Sequence, residues 1–135
     1  REFAMVSFEQ LVLNDRSPIY LQIVRFVQRG IISGAIQNQE ELPSRRVLSS
    51  LLSVNPNTVQ RAYKIMEDEG LIESRTGTKS CISITEDRLV RIRKQLVTEE
   101  IRSAITIFKQ MGLSRQETLD QINALWDIAG GENKT

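Results

Sequence analysis

Six amide, threonine and cationic side chains are concentrated within ten positions near the middle of the sequence. They are amides, a hydroxyl and cations: Asn55, Asn57, Thr58, Gln60, Arg61 and Lys64. An amide can pair in a bidentate manner with adenine, a guanidinium can pair with guanine, and a threonine can bond a phosphate or touch a thymine methyl group. The same residue types also occur on ordinary solvent-exposed helices, so contact with nucleic acid is one of two interpretations of this cluster.

Two smaller groups of polar and basic residues flank the cluster. The first falls at the predicted start of a short helix, where backbone amides and guanidinium groups suit a phosphate. It consists of Ser44, Arg45 and Arg46. The second lies between two predicted strands, where a glycine permits a tight turn and its neighbours could reach the nucleic-acid backbone or the minor groove. It consists of Arg75, Gly77, Thr78 and Lys79.

The charge of the chain is unevenly distributed. Over 135 residues, 18 Lys and Arg oppose 17 Asp and Glu, which gives a formal net charge of +1. Residues 44–81 contain six basic and four acidic side chains, whereas residues 117–135 contain one basic and four acidic side chains. The nearly neutral total therefore combines a locally basic segment with an acidic tail, and it does not exclude nucleic acid as a partner.

The sequence contains no histidine and a single cysteine, Cys81. Without histidine, the chain lacks the usual general base, the commonest metal ligand and every Ser-His or Cys-His nucleophile pair. We therefore expect no catalytic residues, no metal site and no cofactor. Cys81 cannot form an internal disulfide, and a small buried residue is the favoured interpretation over a redox sensor.

The apolar pattern predicts a helix-turn-helix that positions the central cluster. A first helix runs over residues 18–32 with Ser17 as its N-cap, and a short second helix follows Ser44. Asn55-Pro56 then opens a third helix, which ends at Gly70. We call this third helix the recognition helix, because the second helix of a helix-turn-helix enters the major groove of DNA with its N-terminal residues facing base edges.

Two short strands are predicted directly after the recognition helix. They are Leu71–Ser74 and Cys81–Ile84, on either side of a turn that contains Gly77. A hairpin in this position is the pattern of a winged helix. The predicted fold is therefore mainly α-helical with a small β-hairpin: a winged helix-turn-helix followed by a C-terminal helical hairpin.

A long amphipathic helix and a shorter one follow this hairpin, which we call the wing. Apolar residues keep one face from Leu89 to Phe108, and Ser114–Glu117 has the capping-box pattern of a helix start. About 50 residues cannot bury a sizeable core of their own, so we expect a second subunit to cover the apolar face. The residues predicted to dimerise are Leu96, Ile101, Ile105, Phe108, Leu119, Ile122, Leu125 and Trp126.

These elements divide the chain into four expected regions. Residues 1–16 are an N-terminal extension, and its first four residues are expected to be left over from expression. Residues 17–85 form the winged helix-turn-helix, residues 86–130 the helical dimerisation region and residues 131–135 a tail. No apolar run approaches the roughly 18 residues of a membrane-spanning helix, and no secretion leader is visible, so we expect a cytoplasmic protein without a membrane partner.

Three segments in order resemble the DNA-binding signature of the GntR family of bacterial transcription regulators. They are Leu42–Leu48, Val54–Tyr63 and Glu69–Ile72. The Asn-Pro-Asn-Thr-Val run and the short all-helical tail are most similar to the YtrA-like subfamily. The resemblance covers residues 18 to about 84 by motif and the tail by length and helical pattern.

This resemblance implies a homodimer that binds double-stranded operator DNA at a palindromic site, usually as a repressor and often of a transporter operon. It implies phosphate and base contacts by Ser44, Arg46, Asn57, Thr58, Gln60 and Arg61, and wing contacts by Gly77 and Lys79. The chain departs from the family pattern twice, because Gln37–Glu40 replaces the usual Pro-Gly turn and Lys79 replaces the second wing glycine. A small-molecule effector is left open.

Several alternatives stay open from the sequence. The winged helix could be a protein-interaction module without sequence-specific DNA binding. An enzymatic function is the least favoured interpretation of the chain. Trp126 is interpreted as core or dimer interface in preference to a ligand platform. A basic stretch forms a solvated face, a supporting phosphate contact or a pairing with acids of a second subunit. Its members are Arg88, Arg91, Arg93 and Lys94.

Overall fold

The computed structural model describes residues 5–75, 77 and 79–128 of the chain. Within these residues, five helices and three short strands follow one another along the sequence. They are α1 (Ile19–Ser33), β1 (Glu41–Leu42), α2 (Arg45–Leu52), α3 (Pro56–Asp68), β2 (Ile72–Ser74), β3 (Ser80–Ile82), α4 (Glu86–Gln110) and α5 (Arg115–Leu125). Two compact units divide the chain, the first ending at Arg93 and the second beginning at Lys94.

The start of α1 differs from the prediction. The N-cap is Pro18 and not Ser17, and among the described residues no side chain bonds to the free amides of the first turn. Pro18 has an extended ψ of 141° and therefore stands outside the helix. The side chain of Gln22 instead donates to the carbonyl oxygens of Asn14 at 2.8 Å and Ser17 at 2.7 Å. These bonds fasten the preceding loop to the first turn.

The two helices of the helix-turn-helix begin at their predicted caps. The Ser44 hydroxyl accepts a hydrogen bond from the Val47 amide at 3.1 Å, and the Asn55 side chain accepts one from the Asn57 amide at 2.7 Å. Pro56 occupies the first turn of α3, where its missing N–H leaves no helical bond unmade. Both predicted helix starts are confirmed, and α3 is the recognition helix.

Two hydroxyl groups hold α2 against α3. The Ser49 hydroxyl donates to the carbonyl oxygen of Val54 in the connecting turn at 2.6 Å. The Tyr63 hydroxyl, on α3, donates to the carbonyl oxygen of Pro43, just before α2, also at 2.6 Å. Both side chains are buried, and a buried hydroxyl is costly unless it is bonded, so these contacts favour one arrangement of the two helices.

The sheet has one more strand than the sequence predicts. The described strands pair in the order β1-β3-β2, and both pairings are antiparallel. Strand β1 pairs Glu41 with Cys81. It is only two residues long, so the sequence shows no alternating pattern from which it could be predicted. The predicted strand Cys81–Ile84 ends earlier than expected, at Ile82. The Ile84 amide donates to the side chain of Asn38 at 2.8 Å and not to a neighbouring strand.

The core of the first unit joins α1, α2, α3 and the sheet. Side chains that are wholly buried include Val27, Leu48, Val59 and Ile82. The predicted N-terminal extension also contributes, since Val6 and Phe8 are buried in the same cluster. The Phe8 ring packs against Phe26 of α1 at a centroid distance of 5.3 Å. The segment before α1 is therefore part of the packed unit that carries the recognition helix.

The second unit contains most of α4 and the whole of α5. The Ser114 hydroxyl accepts from the Glu117 amide at 3.1 Å, which confirms the predicted start of the last helix. An apolar groove of about 550 Å³ lies between the two helices. Its lining includes Ile101, Ala104, Ile105, Phe108, Leu119 and Ile122. Among the described residues, no helix is both long and apolar enough to span a membrane.

Candidate nucleic-acid interface

The recognition helix presents a polar side to solvent and an apolar side to the core. Its buried residues are Val59, Ala62, Tyr63 and Met66. The predicted contact residues lie on the other side, where Asn57, Gln60, Arg61 and Lys64 are exposed and Thr58 is half-buried. The helical repeat of 3.6 residues therefore brings this part of the predicted cluster together on one outward face.

Asn55 differs from the other members of the cluster, because its side chain already has a role in the fold. Its carbonyl oxygen caps the helix through the Asn57 amide. The side-chain N–H₂ group remains as the donor that Asn55 can offer to a ligand. Helix capping and a ligand contact would thus use different atoms of this residue.

Arg61 lies against an aromatic ring of another helix. Its guanidinium carbon is 3.8 Å from the centroid of the Tyr20 ring, on α1. The contact of Tyr20 with Arg61 was not predicted from the sequence, because the position of Tyr20 on α1 fits an ordinary apolar helix face. No local signal connects two residues that far apart, although an aromatic residue in the first turn of a helix is compatible with such a contact.

The start of α2 holds two arginines in different environments. Arg46 is exposed, whereas Arg45 is half-buried with its guanidinium carbon 5.0 Å from the centroid of the Tyr63 ring. The Nε atom of Arg45 is buried and has no hydrogen-bond partner among the described residues. Burial raises the pKa of Tyr63 well above its ordinary value, and the opposing effect of Arg45 is smaller. Tyr63 is therefore a neutral donor at physiological pH.

In the wing, Arg75 connects two segments of the sheet region. Its Nε donates to Glu73 at 3.0 Å, and its terminal nitrogen donates to the side-chain oxygen of Gln39 at 2.8 Å. Its amide also donates to the carbonyl oxygen of Lys79 at 2.7 Å, which closes the turn. Gln39, within the segment that replaces the usual Pro-Gly turn, adopts a positive φ of 76° in the loop before β1. Arg75 thus braces the wing.

The turn of the wing exposes Gly77 and Lys79. Gly77 has a positive φ of 76°, as the predicted tight turn requires. The Lys79 ammonium lies 3.9 Å from a carboxylate oxygen of Glu41, on β1. Both groups are solvent-exposed, and such pairs are weak, so Lys79 remains available to another anion. Thr78, the fourth predicted wing residue, lies outside the described residues.

The basic stretch on α4 does not act as one group. Arg88 is half-buried, and its guanidinium donates to the carbonyl oxygen of Gly70 at 3.3 Å, at the end of the recognition helix. This contact within the chain is a role that the sequence analysis did not consider. Arg91, Arg93 and Lys94 are exposed.

Cys81 lies on β3 and is only 2% exposed. This confirms the interpretation of a small buried residue. Burial raises the pKa of the Cys81 thiol, and the positive charge of Arg75 opposes that effect. The thiol is consequently protonated at neutral pH and not poised as a nucleophile.

The residues predicted to dimerise differ in how far the fold exposes them. Leu96 is 6% exposed and is already covered within the chain, so it offers almost no surface to a second subunit. Phe108 is half-buried. The other members are between 39% and 66% exposed: Ile101, Ile105, Leu119, Ile122, Leu125 and Trp126. The exposure of Trp126 excludes the interpretation that it belongs to the core of the single chain.

Comparison with known proteins supplies an independent finding. Residues 19–81 match the family model for bacterial regulatory proteins of the gntR family. The chain is 32% identical over 127 residues to the HTH-type transcriptional repressor YtrA of Bacillus subtilis (strain 168). The matched region covers 91% of this chain and 96% of that protein. The chain is 31% identical over 105 residues to the uncharacterized HTH-type transcriptional regulator YhcF of the same organism, covering 78% and 87% respectively. A GntR family transcriptional regulator from Listeria monocytogenes matches the fold with a TM-score of 0.71 at 26% identity, over 83% of this chain and 98% of that chain.

Proposed function

Since this chain belongs to the gntR family of bacterial regulatory proteins and is a DNA-binding transcription regulator, we propose that it binds a palindromic operator as a homodimer and represses transcription. The name of the YtrA relative, a transcriptional repressor, supports the sign of regulation. The resemblance to the YtrA-like subfamily supports control of a transporter operon.

The observation that carries this proposal is the outward face of α3. Asn57, Gln60 and Arg61 are exposed on its first two turns, while the opposite side of the helix is anchored in the core. Amide and guanidinium groups in this position suit the base edges of the major groove. Ser44 and Arg46 at the start of α2, with Lys79 in the wing, are proposed to hold the phosphates on either side.

The proposed homodimer rests on the apolar surface of the second unit. The side chains of Ile101, Ile105 and Ile122 line the groove between α4 and α5 and remain substantially exposed. Burial of such a surface against an identical one stabilises association, because apolar area is removed from water. Two-fold symmetry then places two recognition helices about one DNA turn apart, or roughly 34 Å.

Selection from a random duplex library, followed by footprinting, tests the proposal. We expect a two-fold symmetric site and an affinity that falls steeply with salt concentration. Gln60→Ala should reduce the selectivity for the chosen sequence. Arg102→Ala removes an exposed cation from α4 and should leave selectivity unchanged, so it serves as the control. A protected region confined to one asymmetric half-site would contradict the dimeric arrangement.

The alternative is a winged-helix module that contacts protein and not sequence-specific DNA. Gel shift on random duplex in a salt series separates the two, since absence of binding even at low salt would favour the alternative. The direction of regulation needs a separate measurement. In transcription from a promoter that contains the selected site, a repressor lowers the amount of transcript, whereas a rise would contradict repression.

A further inference from the structure

One cation on the recognition helix is held by an aromatic ring. The Arg61 guanidinium carbon lies 3.8 Å from the centroid of the Tyr20 ring, well inside the ~6 Å range of cation–π attraction. Tyr20 belongs to the first turn of α1, and its half-buried side chain packs against the core. The ring is thus a fixed part of a neighbouring helix, against which the long side chain of Arg61 lies.

Three of the other predicted cations around this surface are held by carboxylates. The Lys64 ammonium pairs with Asp68 at 3.2 Å, Arg75 bonds to Glu73 at 3.0 Å, and Lys79 lies 3.9 Å from Glu41. A carboxylate occupies N–H donors and offsets the positive charge. A ring face occupies no N–H donor and carries no negative charge, because it contacts the flat side of the guanidinium and leaves the N–H groups free at its edge.

Arg61 retains its full donor set in this arrangement. It donates to no residue in the described part of the chain and forms no ion pair there. Recognition of guanine requires two parallel N–H donors of one guanidinium, held in a defined orientation. A free arginine loses considerable rotamer freedom when it adopts that orientation, whereas a stacked one has lost part of that freedom beforehand.

From this geometry we propose that Tyr20 is a positioning residue for DNA recognition, holding the Arg61 guanidinium with its N–H donors directed outward to a base edge. The inference rests on the proposed function, because it requires α3 to enter the major groove. It adds to that function a specificity-determining pair, Tyr20 and Arg61, in which the residue that reads the base and the residue that orients it belong to different helices.

Three variants test the role of the ring. Tyr20→Leu removes the ring but retains an apolar side chain, Tyr20→Phe retains the ring without the hydroxyl, and Phe26→Leu removes a ring of α1 that packs on Phe8. We expect Tyr20→Leu to weaken binding of the selected duplex roughly two- to fivefold, in line with a partly exposed cation–π contact. Tyr20→Phe and Phe26→Leu should bind as the wild type does. Circular dichroism melting establishes that each variant is folded.

Base preference distinguishes a positioning role of Tyr20 from a merely structural one, because loss of a structural contact alone would not change which base is preferred. Random duplex selection with Arg61→Ala identifies the base position at which preference depends on Arg61. Tyr20→Leu should flatten the preference at that same position and at no other. In the Arg61→Ala background, Tyr20→Leu should have no further effect on affinity, since the ring then has no guanidinium to orient.

The possible outcomes separate the inference from the proposed function. If the wild type binds and Tyr20→Leu weakens binding equally with or without Arg61, the ring acts independently and the inference is wrong. If Tyr20→Phe loses as much affinity as Tyr20→Leu, the hydroxyl contacts DNA directly and the positioning role is again excluded. If the wild type binds no duplex from the library at low salt, both the proposed function and the inference that rests on it are wrong.

Discussion

Individual side chains that the sequence groups together differ in what the fold leaves them free to do. Asn55 uses an oxygen to cap α3, and Arg75 uses its donors on Glu73 and Gln39. Arg46 and Gln60, in contrast, are exposed and have no hydrogen bond to another described residue through their side chains. The second pair therefore has more hydrogen-bonding capacity for a ligand than the first.

Base selection and phosphate binding are expected to respond to different substitutions. Arg61→Ala should change the preferred base at one position of each half-site, because a bidentate contact contributes about 1–3 kcal/mol of discrimination. Lys79→Ala should weaken binding to all duplexes by a similar factor and reduce the slope of affinity against salt by about 1. Binding series over single-base variants of the selected site, at several salt concentrations, measure both effects. The reverse pattern would contradict these assignments.

The buried thiol predicts how stability depends on pH. Burial raises the pKa of Cys81, so the folded protein retains the thiol proton at a pH where the unfolded chain releases it. The stabilising effect is complete below the pKa of an unfolded thiol, about 8.5, and is lost as the pH rises from there through the folded pKa. Urea unfolding at pH 7 and pH 10 should show a larger loss of stability for the wild type than for Cys81→Ala. Equal losses would exclude this linkage.

Among the elements, the recognition helix is secured at both ends by different means. Its start is capped locally by Asn55, whereas its end is followed by Gly70, which has a φ of 76° and a carbonyl oxygen bound by Arg88. A Cβ atom at Gly70 would overlap the guanidinium group of Arg88. The end of the helix therefore depends on a residue at the beginning of α4 as well as on its own sequence.

Two glycines separate backbone strain from this contact. Gly34, at the end of α1, has a φ of 87° and no atom within 4 Å of a Cβ placed there. Gly34→Ala should therefore lower the free energy of unfolding by about 1 kcal/mol, the strain of a left-handed conformation alone. Gly70→Ala should lower the free energy of unfolding by ~0.5–1.5 kcal/mol more than Gly34→Ala does, because Arg88 must move and its hydrogen bond is lost. Urea unfolding measures both, and equal losses would show that the Arg88 contact contributes nothing.

In the molecule as a whole, the second unit is less self-sufficient than the first. The first unit buries a continuous apolar cluster, whereas Leu125 and Trp126 are at least half exposed and Ile105 is 46% exposed. An exposed apolar groove of this kind raises the free energy of an isolated chain in water. Self-association of the second unit would remove that cost, and it would link the assembly of the protein to its proposed recognition of two half-sites.

A charge in this groove is expected to produce a monomer that still folds. Ile105→Glu places a carboxylate in the proposed interface, while the partial exposure of Ile105 lets the single chain tolerate it. Ser103→Glu adds the same charge roughly on the opposite side of α4 and is the control. Sedimentation should show a monomer for the first variant and a dimer for the second.

Affinity for DNA provides a second measure of the same change. Loss of the second half-site contact should weaken binding to the symmetric duplex roughly 10²- to 10⁴-fold for Ile105→Glu and leave Ser103→Glu unchanged. A variant that stays dimeric, or a monomer that retains full affinity, would contradict the proposed role of the groove.

The amino-acid sequence by itself determined the features that depend on near neighbours. The helix starts at Ser44, Asn55 and Ser114 are set by a side chain that caps an amide two or three residues later. The outward polar face of α3 follows from the spacing of its apolar residues against the helical repeat. Ordered motifs were sufficient to indicate the family, because they require residue types at fixed positions and no coordinates.

Only the tertiary structure decided the contacts between distant parts of the chain. Strand β1 exists because Glu41 pairs with Cys81, and no pattern within two residues encodes a partner forty positions away. The stacking of Arg61 on Tyr20 likewise needs α1 and α3 to pack at one distance and rotation, which their separate sequences do not specify. Packing of side chains from several elements fixes such geometry, and local propensity carries no information about it.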